Sequence, residues 1–107
     1  MNKKEYVSRI LQLYLALPET PNRVNRLDYR LAEELNEKGI AEEHVEAAML
    51  MATARRLARN PKASPLGPIR SLHYFLPVLN EVTKNGIPEG YLQYLRGYLR
   101  SRFKHHG

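Results

Sequence analysis

Residues Pro68 to Val82 read PIRSLHYFLPVLNEV. Leu72, Phe75, Leu76, Leu79 and Val82 recur at steps of one, three and four, the spacing of a helix with one buried face. Ser71 stands just ahead of that run, where its hydroxyl can accept a backbone N–H that the first helical turn leaves free. Pro77 falls inside the pattern. Without an N–H it cannot bond the carbonyl of His73, so the sequence predicts a helix kinked at Pro77. A kinked apolar helix in the second half of the chain suits the role of a central strut. It carries no acid, base or nucleophile set, and the rest of the chain is read as what packs around it.

Working back towards the N-terminus, a helix is expected over about residues 41–60. It opens on Glu42, Glu43 and Glu46 and closes on Arg55, Arg56 and Arg59, the polarity that complements a helix macrodipole. Val45, Ala48, Met49, Ala52 and Leu57 form its inward stripe, and the alanines allow close approach. Before it, a helix from about Asn25 carries Leu27, Leu31 and Leu35 at i, i+4, i+8, with Asn25 and Asp28 as its cap and acidic first turn. Gly39 should close it in the left-handed conformation. The first helix, about residues 3–17, shows Tyr6, Val7, Ile10, Leu11, Leu13, Tyr14 and Leu17 to a core and is stopped by Pro18. The Pro18–Pro21 connector is expected to be extended. Its apolar run is interrupted by Glu5, Arg9 and Gln12, so it reads as an amphipathic helix of a cytoplasmic protein and not as a signal peptide.

Working forward, Asn85-Gly86 ends the kinked helix. Pro88-Glu89 opens a last one through Tyr91, Leu92, Leu95, Tyr98 and Leu99. No strand pattern occurs. The expected fold is therefore all-α, one compact domain of about five helices spanning residues 1–107, with the third and fourth helices at its centre.

Composition narrows the function classes. Across 107 residues, 43% are hydrophobic and 26% charged, ordinary for a globular chain, and no run is long and apolar enough to cross a membrane. Cysteine is absent, which removes disulfides, thiolate metal sites and thiol catalysis. The net charge of +6 is unevenly spread: residues 1–60 carry +1 and residues 61–107 carry +5. Such asymmetry points to an acidic partner, with nucleic acid first and DNA ahead of RNA.

No catalytic constellation assembles. His73 lies two residues from Ser71, and side chains at that spacing diverge on a helix, so it is read as a structural or ligand-contacting residue. His44 among Glu42, Glu43 and Glu46 lacks a Glu-x-x-His spacing and is read as part of a solvated helix start; His105 and His106 are no evidence of a metal site. No enzyme activity, metal, cofactor or membrane partner is expected. What remains is basic. One cluster is Arg55, Arg56, Arg59 and Lys62, continued beyond the proline-rich loop by Arg70; the other is Arg96, Arg100, Arg102 and Lys104. Arg96, Arg100 and Lys104 follow at steps of four, about 6 Å of rise, along one exposed line. Tyr91, Tyr94 and Tyr98 form a second line beside it. Arginine and lysine reach phosphates, and tyrosine stacks on unpaired bases. The alternative is a helical protein-interaction module, self-associating or otherwise, that buries the Tyr/Leu face of the last helix against a partner.

The order RLAEELNEKGIAEEHVEAAMLMATARRL, a basic proline-rich loop and IRSLHYFLPVLNEV resembles the helical C-terminal region of plasmid and phage replication initiators. The corresponding positions are Gly39-Ile40, Ala47 to Arg56, and Arg70-Ser71 to Tyr74-Phe75-Leu76, within residues 27–82. The resemblance implies a part in replication or mobile-element DNA transactions and assigns no site residue.

Overall fold

The computed structural model describes residues 2–104, with side chains to position 102. These form five α-helices and one 3-10 turn: α1 (Lys3–Leu15), α2 (Arg26–Glu37), α3 (Glu42–Leu57), the turn Leu72–Phe75, α4 (Leu76–Asn85) and α5 (Tyr91–Lys104). The all-α bundle expected from the sequence is the observed architecture. Among the described residues there is no strand, and no helix is long and apolar enough to cross a membrane.

Local chemistry sets most boundaries. The Asn2 side chain caps α1 by accepting from the Glu5 N–H at 2.8 Å. Asn25 and Asp28 form a reciprocal capping box on α2: the Asn25 side chain accepts from the Asp28 N–H, and Asp28 accepts from the Asn25 N–H. At the far end of α2, Gly39 takes a φ of 72°. The Ile40 N–H then reaches back to the Leu35 carbonyl and the Gly39 N–H to that of Asn36, which satisfies carbonyls the helix leaves open. The connector after α1 is turned, not extended. Glu19 sits at φ 64°, held by its own carbonyl, which accepts from the Ile69 N–H at 3.1 Å, and by its carboxylate, which pairs with Arg56. The last helix starts at Tyr91, later than Pro88-Glu89 suggests, because Gly90 turns the chain at φ 79°.

The hub of the bundle is α3, which packs on α1, α4, α5 and the 3-10 turn, while α1 pairs with α2. The centre is thus α3 alone and not the α3–α4 pair. Ala47, Ala48 and Ala52 are buried on α3, and their small side chains let neighbours approach from several sides. The stretch 68–82 does contribute Ile69, Leu72, Phe75, Leu79 and Val82 to the core, but as a layer against α3. Its break at Pro77 takes the form of a change of helix type. The 3-10 turn runs to Phe75, the Leu76 N–H bonds to the His73 carbonyl, and Pro77 occupies the first turn of α4, where no N–H is needed.

Two side chains are not where the sequence pattern sets them. Leu27, first of the i, i+4, i+8 series, is 58% exposed. The neighbouring inward position belongs to Asp28, which is fully buried. Ser71 makes no capping bond; the adjoining Leu72 N–H goes to Asp28 at 2.8 Å, across a separation of 44 residues. Asp28 therefore ties the start of α2 to the start of the 3-10 turn with one carboxylate, each oxygen taking one backbone N–H.

Candidate functional site

The steps of three and four between Tyr91, Tyr94 and Tyr98 put all three rings on one flank of α5. Their rings run nearly parallel, 6.0 Å and 6.3 Å between centroids with interplanar angles of 16° and 23°. They form one wall of a cleft of about 310 Å³ whose floor is Met51 and Ala54 of α3 and Ala58 just past its end. Tyr94, in the middle of the row, is 61% exposed. An arginine stands at each end. Arg55 lines the cleft near Tyr91, and the Arg102 guanidinium lies 5.8 Å from the centroid of the Tyr98 ring. Arg102 also donates to the Leu57 carbonyl at 3.4 Å, so the end of α3 and the last turns of α5 meet there.

The other flank of α5 faces a second cleft of about 340 Å³, lined by Leu13 and Leu17 from the α1 side and by Met49, Leu50 and Leu99. Arg96 and Arg100 lie on this flank, not beside the tyrosines. Arg96 is committed rather than free. Its guanidinium donates to both oxygens of Glu46 at 2.8 and 2.7 Å, and Glu46 is buried on α3. That hydrogen-bonded pairing raises the arginine's pKa further. The expected row of three exposed cations therefore loses its first member to the fold. Arg100 is exposed and makes no ion pair among the described residues.

The arginines at the end of α3 are also largely engaged. Arg55 forms a two-bond pair with Glu81 of α4 at 2.9 and 3.0 Å, which raises the pKa of the arginine and lowers that of the glutamate. Arg56 has a side chain only 7% exposed. It donates to Glu19 at 3.0 Å, to the Tyr74 hydroxyl at 3.1 Å and to the Gly67 carbonyl at 3.0 Å, and it sits over the Tyr74 ring. Arg56 is the clamp that holds the proline-rich loop and the connector after α1 against α3. Arg59 donates to the Ser64 carbonyl within the same loop. Lys62 and Arg70 are exposed without ion pairs among the described residues, and His73 is exposed. The side chain of Lys104, and His105 and His106, lie outside the described residues.

The eight basic positions with described side chains thus divide. Arg55 lines the tyrosine cleft and Arg102 lies over its last ring; Arg56 and Arg96 are structural ties; Arg59 braces a loop; Lys62, Arg70 and Arg100 make no ion pair among the described residues. Among the described residues, no three His, Asp or Glu side chains converge as a metal site, and Glu46 belongs to Arg96. Comparison with known protein families, with characterised proteins and with solved structures finds no match.

Proposed function

We propose that this chain is a non-enzymatic, cytoplasmic nucleic-acid-binding accessory protein that holds unpaired bases in the tyrosine cleft. The tyrosine row carries the reading. Its centroid steps of 6.0 and 6.3 Å are close to the phosphate spacing along a strand, roughly 7 Å or less, so successive bases can meet successive rings. Arg102 at one end supplies a cation to the backbone, while Arg55 at the other is already paired with Glu81. The net charge of +6 adds attraction at longer range. A place in DNA replication or mobile-element transactions, as the sequence resemblance implies, belongs to the same proposal. Fluorescence anisotropy with a labelled single-stranded oligonucleotide tests it. Tyr94→Leu should weaken binding by about fivefold, the low end of one stacked base. Arg102→Gln should reduce the salt slope by about one unit. Wild-type protein that does not bind at low salt, or Tyr94→Leu that binds as wild type, would overturn the reading.

The apolar floor of the same cleft favours one alternative, a protein-interaction surface with Tyr94 as anchor, since aromatic residues over an apolar base are typical of interface centres. Sedimentation of wild type and Tyr94→Leu across a concentration series would then show an association that the variant loses.

A further inference from the structure

The first 60 residues carry a net charge of only +1, yet their charges are segregated in space. Glu19 is paired with Arg56, Glu33 and Glu37 with Lys3, Glu42 with Arg9 and Glu46 with Arg96. Asp28 is buried and spent on backbone N–H groups. These commitments strip carboxylates from one region, the start of α2. Arg23, Arg26 and Arg30 are all exposed there, and none makes an ion pair among the described residues. Glu34, one turn beyond Arg30, does not pair with it either. Arg70 joins them: the Ile69 N–H is bonded to the Glu19 carbonyl and the Leu72 N–H to Asp28, which holds the backbone between them against the first turn of α2.

We propose that Arg23, Arg26, Arg30 and Arg70 form a second binding face, separate from the tyrosine cleft, that takes the phosphodiester backbone of a nucleic acid. Arg26 and Arg30 are one turn apart on the side of α2 opposite its buried stripe of Asp28, Leu31, Ala32 and Leu35. The rise between them, about 6 Å, is comparable to a phosphate step. In the unliganded protein the arrangement is unfavourable twice over. Cations at a helix start oppose the macrodipole, and like charges at i, i+4 repel. A polyanion relieves both. The apolar neighbours argue for phosphate over a protein partner: Leu27 and Tyr29 are both at least half exposed, but at i, i+2 they flank the arginine row on opposite sides and make no continuous apolar patch. Helix α2 packs on α1 and the 3-10 turn, and α5 packs on α3, so the two faces are built on different helices. One molecule can then hold two nucleic-acid segments. The proposal extends the nucleic-acid reading without resting on the tyrosine cleft.

A blunt duplex separates the two faces, because it offers no unpaired base to the tyrosines. In anisotropy titrations over a salt series, the double variant Arg26→Gln, Arg30→Gln should bind duplex more weakly, with a salt slope lower by about two units. Arg70→Gln should lower it by about one. Tyr94→Leu should leave duplex binding unchanged while it weakens single-strand binding. The arginine variants should melt no lower than wild type, since they remove exposed, mutually repelling charges. Absence of duplex binding by wild type at low salt, or duplex binding by the double variant equal to wild type, would overturn the second face whether or not the tyrosine cleft holds. Equal, arginine-dependent binding of polyglutamate would overturn it in favour of an acidic protein segment.

Discussion

Replacing Arg96 by methionine keeps the length and the apolar stem of the side chain and removes half of its pair with Glu46. The Glu46 side chain is 7% exposed and both its oxygens are held by Arg96. For charge centres about 4 Å apart, the attraction at an effective dielectric constant near 20 is about 4 kcal/mol. The arginine side chain is 40% exposed in an open cleft, however, so water offsets part of that. The loss should fall between an exposed pair, about 0–1 kcal/mol, and one half of a fully buried pair, about 3–5 kcal/mol. We expect about 2 kcal/mol, which for a chain of this size lowers Tm by about 10 °C. The assay is a far-ultraviolet circular dichroism melt of Arg96→Met beside the double variant Glu46→Met, Arg96→Met. The double variant should recover most of the loss, because Leu13, Leu17, Met49 and Leu99 line the space the pair now occupies and an apolar replacement of a buried pair is often neutral. A single variant that melts with wild type, or a double variant that melts no higher than the single, would refute the assignment of Arg96 to the fold.

Phe75→Ala should destabilise by about 3–5 kcal/mol in urea unfolding, since Phe75 is buried and packs edge-on against Tyr14 at 6.1 Å and Tyr74 at 5.1 Å. Tyr6 and Tyr14 should respond oppositely to loss of their hydroxyls. Tyr6→Phe leaves the Ile40 carbonyl without the 2.9 Å bond it accepts and should cost about 1 kcal/mol, whereas Tyr14→Phe removes a buried hydroxyl with no hydrogen-bond partner among the described residues and should be neutral or stabilising by up to about 1 kcal/mol. Burial pushes both phenols from 10.0 up to about 12, with Glu42 adding to it for Tyr6 and Asp28 for Tyr14. The folded state therefore holds these protons more tightly than the unfolded one. The stability they confer is complete below pH 10 and is lost as pH rises towards 12, and each Phe variant should shift alkaline unfolding upward in a pH-jump titration.

What could be read from the sequence was local. The Asn25–Asp28 cap, the Gly39 stop and the acid-to-base polarity of α3 each depend on residues within a turn or two of one another, and each is found. The tyrosine row was legible for the same reason, since helical spacing alone sets it on one flank. Partnerships across the chain were not. Nothing near Arg96 marks Glu46, 50 positions away, as its partner, and nothing near Arg56 marks Glu19, 37 away. Ser71 was a sound local cap, but it makes no capping bond, and the Leu72 N–H beside it is taken by Asp28 from α2. The arginines at the start of α2 were hidden by a near-zero net charge, which says nothing of which carboxylates are already taken. A signal was present: Arg23, Arg26 and Arg30 follow at steps of three and four, with Asp28 the one acidic residue between the first and the last of them.

Because α5 rests chiefly on α3 and is joined to α4 by a link with Gly86 and Gly90 at positive φ, it is the element least woven into the bundle. Its amides should exchange with solvent through a partial opening well below the free energy of global unfolding, ahead of those of α3. The tyrosine cleft has one wall on each side of that opening. Any ligand that touches both walls must keep α5 docked, and at a concentration of 100 Kd it would add about 2.7 kcal/mol to the opening free energy. Occupancy of the cleft would then be written in the exchange rates of α5, whether the occupant is a strand of bases or another protein.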